Sequence, residues 1–237
     1  QLAQPAICNY VALLSSTASG VLPSMNIAAL RERIDQALQH ETEHGSLATD
    51  LAGRIDGLHR AIRLPEADAP GTLLRFVRAY VDEVPELVEA AASVASKAGI
   101  DAQIKPVLRL AEEFFLSPPP ELEGHEGLEA LLDEAYLAHR LVEEVNDRYI
   151  AHFGQPLIPL DTTVANLVAH ALIGEPFANQ LDAAVHQASE ALQDERIFVT
   201  ETAQEYRAQL ADPQRLAAWQ TWPCLSRQLG VELQLTA

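Results

Sequence analysis

The chain has 237 residues, 48% of them hydrophobic but only 5% aromatic, a composition of packed helices rather than of a β-sandwich or barrel. Sixteen Lys and Arg against 34 Asp and Glu leave a formal charge of −18, which disfavours phosphate backbones and anionic membrane surfaces, so no nucleic-acid partner is expected. No apolar run approaches the roughly 18 to 20 residues that cross a bilayer, and no membrane insertion is expected either.

The two cysteines, Cys8 and Cys224, lie far apart and in no metal-type spacing. Two free thiols in a reducing cytoplasm are the expectation, with one disulfide between them as the alternative. The first residue is Gln1 rather than Met, so a processed or exported form stays open.

In chain order, residues 1–25 read as an N-terminal arm, 26–199 as the helical bundle, and 200–237 as a C-terminal helix and tail packed on it, together one helical domain. Asn26 is placed to cap a long first helix that runs to about Leu64, where Pro65 stops it. Alternating steps of three and four give Ile27, Leu30, Ile34, Ala37, Glu41, His44, Ala48, Leu51, Ile55, Leu58 and Ile62. Such a seam faces the interior, and it is polar only at Glu41 and His44. Gly45, Gly53 and Gly57 each cost roughly 1 kcal/mol in a helix, but the unbroken phase favours continuity across them.

Leu73, Phe76, Val77, Tyr80, Val84, Leu87 and Val88 mark a second helix that Pro85 kinks or restarts before Gly99. Asp101 is placed to cap a third, with Ile104, Val107, Leu108, Ala111 and Phe115 inward, ended by Pro118 to Pro120. A fourth spans about Glu126 to Phe153, its stripe running from Leu128 through Leu131, Ala135, Ala138, Val142 and Val145 to Tyr149. A fifth, ending at Gly174, is so apolar that a central position is expected. A sixth follows Pro176. Beyond Thr200 come another helix, a restart at Pro213 and a tail that Trp219 and Trp222 anchor. The fold class is therefore all-α, a bundle of six to eight helices with a long first helix.

Burying Glu41 and His44 unanswered would cost several kcal/mol. Residues 40–44 satisfy the HExxH pattern of zinc proteases, but Glu43 lies between the histidines and His40 falls off the seam. Glu41-x-x-His44 does lie on it, and resembles the ligand motif of the ferritin-like di-metal carboxylate proteins, whose bundle helices supply Glu and Glu-x-x-His to two metal ions. A second Glu-x-x-His is absent from this chain.

Partners come from two other helices. His139, Glu143 and Asn146 follow at spacings of four and three on the fourth, and Thr163, Asn166 and His170 form one polar line on the fifth. Their convergence with Glu41 and His44 would make a mononuclear iron, zinc or manganese centre, with Glu41, His44, His139, Glu143 and His170 as ligands and Asn146, Thr163 and Asn166 in support. Such a centre would serve oxidation or hydrolysis. Residues of this kind more commonly form a network that fixes helix register, and a metal-free ligand pocket is a third reading. The competing class is a non-catalytic acidic protein that engages a protein partner or its own copies. No Gly-x-Ser-x-Gly or phosphate-cradling glycine loop is present.

Overall fold

The computed structural model describes residues 25–118, 127–154, 162–190, 195–210 and 230–233. They form an all-α bundle. The first helix, α1, spans Ile27–His44, with the Asn26 side chain accepting from the Ala29 amide at its start, as expected. Leu30, Ile34, Ala37 and Glu41 are its buried face.

The long first helix divides at Gly45. There the backbone turns left-handed, φ 63°, and the Gly45 amide closes on the Glu41 carbonyl. Glycine adopts that conformation freely, which is why the break falls at this residue. The next helix, α2 (Ser46–Arg54), buries Leu47 and Leu51. A 3₁₀ turn at Ile55–Gly57 ends it, and the chain runs on into a two-residue strand, β1 (Ile62–Arg63), instead of continuing as helix to Leu64. β1 pairs antiparallel with β2 (Glu232–Leu233), Ile62 opposite Leu233.

Two helices replace the second expected one. α3 (Ala69–Asp82) stops at Glu83, and α4 (Val84–Ala98) restarts with Pro85 in its first turn, where a missing N–H costs nothing. α5 (Asp101–Leu116) buries all five expected residues from Ile104 to Phe115. Its Glu112 is buried as well, accepting from the Asn26 amide at 2.6 Å and from Arg109 at 2.7 Å, which ties the start of α1 to α5.

The organising element is not α1 but α6 (Gly127–Phe153), whose 27 residues extend about 40 Å. All nine positions from Leu131 to His139 are buried, so no side of that stretch faces water. It packs on α1, α3, α4, α5, α7 (Thr163–Ile173) and α8 (Phe177–Ser189). A helix buried all round must take its polar residues inside with it.

The apolar fifth helix, here α7, is not central. It packs mainly on α6 and α8 and leaves Leu167 49% exposed, so composition alone overstated its burial. At the far end of α6, Tyr149 and Phe153 stack with ring centres 4.3 Å apart, and Phe198 and Tyr206 of α9 (Glu201–Leu210) and its approach pack on them. The core is one continuous cluster from Leu30 to Val231. Cys8, Cys224, the 1–24 arm, Pro213, Trp219 and Trp222 lie outside the described residues. No helix among the described residues is long and apolar enough to cross a membrane.

Candidate functional site

The polar lines of α6 and α7 meet. Asn166 donates from Nδ2 to Glu143 Oε2 at 2.6 Å, and its Oδ1 accepts the Tyr80 hydroxyl of α3 at 2.7 Å. Glu143 Oε2 also accepts from Arg140 one turn earlier. Arg140 continues to Asp182 of α8, Nε to Oδ1 at 2.9 Å, and the same oxygen takes the Tyr136 hydroxyl at 2.9 Å. A continuous run of hydrogen bonds thus links α3, α7, α6 and α8.

His139 closes the inner end. It is fully buried and lies flat on the Tyr80 ring, centres 3.9 Å apart and planes 14° from parallel. Its Nε2 is 2.8 Å from the Tyr80 carbonyl; a carbonyl only accepts, so Nε2 carries the proton. Burial lowers the imidazole to about 4 against the opposing pull of that bond, and His139 is neutral at physiological pH. Burial likewise raises Tyr80 and Tyr136, so both hydroxyls stay protonated as donors.

The outer end reaches solvent. The His170 side chain is 24% exposed, with Nε2 3.1 Å from Asn179 Oδ1 and 3.8 Å from Asp182 Oδ2. Asn146 is half-buried and Thr163 exposed, on the flanks of the same two helices.

Glu41 and His44 do not join this network, and the expected convergence is corrected at those two residues. Glu41 is buried, but its oxygens accept from the amides of Leu47 and Ala48, each at 3.0 Å, and from Ser46 Oγ at 3.3 Å. It caps α2 from the preceding helix, a negative charge on free N–H groups. His44 is exposed, because Gly45 ends the helix before the seam can carry it inward. Its ring stacks on His40, centres 4.3 Å apart, and Nδ1 bonds the His40 carbonyl. Among the described residues no three or more of His, Cys, Asp and Glu are grouped to hold a metal ion.

Sequence reasoning missed Tyr80, Tyr136, Arg140 and Asp182. Tyr80 counted as apolar in a core stripe although a buried hydroxyl demands a partner, and that demand was the available signal. Arg140 stands three residues before Glu143, a pairing distance on a helix, and this too was legible. Asp182 carried no such mark. No protein-family model matches the chain, and neither does any curated protein or solved structure.

Proposed function

We propose that this chain is a non-catalytic helical binding protein whose acidic outer faces engage a basic protein partner, with the Tyr80-to-Tyr136 network holding the helices in register. The observation that carries this reading is occupancy. Glu143 Oε2 and Asp182 Oδ1 each take two donors from the chain itself, and Glu41 is spent on the start of α2. Carboxylates so engaged hold helices together. The formal charge of −18 supplies the attraction for a cationic surface and speeds its approach. The continuous core supports one functional unit over the described residues from Leu30 to Val231, and the cysteine usage supports a cytoplasmic setting.

The test is calorimetric titration of a lysine-rich peptide into the full chain at about 50 mM and about 500 mM salt. Saturable binding that weakens about tenfold or more at the higher salt is expected. An absence of binding, together with near-stoichiometric iron, zinc or manganese retained through dialysis and lost in Glu143→Gln, would replace this reading with the metal-centre one.

A further inference from the structure

Residues 40–44 keep one feature that neither the polar network nor the α2 cap uses: two imidazoles, His40 and His44, one helical turn apart on the same side of α1. Their rings stack with centres 4.3 Å apart. His44 is exposed, and its Nδ1 lies 2.9 Å from the His40 carbonyl. A carbonyl only accepts, so Nδ1 carries the proton and Nε2 is left with a free lone pair. Metal-binding histidines are oriented in the same way, by donating from the other ring nitrogen to a carbonyl or carboxylate.

His40 is half-buried, and its Cδ2 edge lies over Gly127 at the start of α6, where an added side-chain carbon would come within 2.8 Å of it. The ring is thus held between α6 and His44, and no described residue hydrogen-bonds either of its nitrogens. It also walls an open cleft of about 310 Å³ together with Arg33, Gln36 and Leu131, which leaves room for water around a bound ion. Arg33, two turns back, is paired with Glu134 at 3.0 Å. The pair closes α1, where the helix dipole is negative, on a chain of formal charge −18, and both favour a cation. Glu41 between them is held by the amides of Leu47 and Ala48, so the arrangement offers binding and not hydrolysis.

We propose that His40 and His44 chelate one exchangeable late-transition-metal dication, copper(II) in preference to zinc, with water in the remaining positions. Imidazole nitrogen selects such ions over magnesium and calcium, and the affinity order places copper(II) first. Two nitrogens on one ion, each at about 2.0 to 2.1 Å, stand roughly 3 Å apart, and the stacked rings approach that by turning about their Cβ–Cγ bonds. The pair shares no residue with the Tyr80-to-Tyr136 network, so the site is independent of the basic-partner reading and separate from a centre at Glu143.

Calorimetric titration of the metal-free full chain with copper(II), zinc and magnesium chlorides in a non-chelating buffer tests it. Copper should show one equivalent of binding about tenfold or more tighter than zinc, and magnesium no saturable heat. That copper binding should weaken about tenfold or more in His44→Ala and likewise in His40→Ala, because losing one imidazole turns a chelate into a single bond. His59→Ala, elsewhere on the surface, should bind as the parent does. His44 is exposed, so its removal leaves the fold intact, and an unchanged circular dichroism spectrum checks this. Zinc at about 100 times its dissociation constant should raise the urea midpoint of the parent and leave that of His44→Ala in place. Unchanged copper affinity in either folded variant of the pair, an equal loss in His59→Ala, or no saturable heat with copper would overturn the proposal.

Discussion

Glu41 shows how one residue changes meaning with its backbone. On an uninterrupted helix it would enter the core beside His44 as a ligand pair; with Gly45 at φ 63° its carboxylate instead reaches the amides of Leu47 and Ala48. Replacing a cap of this kind costs about 0.5 to 2 kcal/mol, so Glu41→Ala should lower the unfolding free energy by that amount in urea titrations. Glu41→Gln, which keeps the acceptor and loses the charge, should lose less. Gly45→Ala meets no atom within 4 Å of the added carbon, so its expected loss of about 1 kcal/mol comes from the left-handed backbone alone.

Four elements are locked by the run from Tyr80 through Asn166, Glu143, Arg140 and Asp182 to Tyr136. Removing one member leaves a buried partner unsatisfied, which costs about 1 to 3 kcal/mol. Tyr80→Phe and Asn166→Leu should each destabilise by that order, and the double variant should lose less than the sum. A coupling of about 0.5 to 3 kcal/mol in that double-mutant cycle is the expected result. Additive losses would mean that the two helices are not held through this bond. The polar faces of α6 and α7 were legible in sequence, since helical spacing determines which residues share a side; their junction with α3 and α8 was not, because Tyr80 reads as core filling and nothing in the spacing marks Asp182.

At the scale of the molecule, burial has left acids in the interior with shifted protonation. Burial, reinforced by Glu86, raises Glu83 to about 7; burial raises Asp133 to about 7; and Glu134 rises to about 8 although Arg33 pulls it down. A carboxyl raised in the folded state binds its proton more tightly there than in the unfolded chain. Its contribution is whole below the unfolded value near 4 and is lost as pH climbs through the folded value. His139, lowered to about 4, acts the other way and withdraws stability as pH falls below about 6.5. Three acids outweigh one imidazole, so the urea midpoint should fall as pH rises from about 5.5 to about 8. Glu134→Gln should flatten that slope, and a midpoint that rises with pH would show these carboxyls ionised in the fold.

The sequence by itself determined the all-α class, the buried stripes of α3 to α6 and the start of α1, because 3.6-residue periodicity and capping are local properties of the chain. It also placed Glu143 and Asn166 on interior-facing lines. Only the tertiary structure decided that α6 rather than α1 is surrounded, that the helix breaks at Gly45, and that Glu41 and His44 part company there. Enclosure depends on how many neighbours a helix acquires, and a left-handed glycine is one option among several until packing selects it.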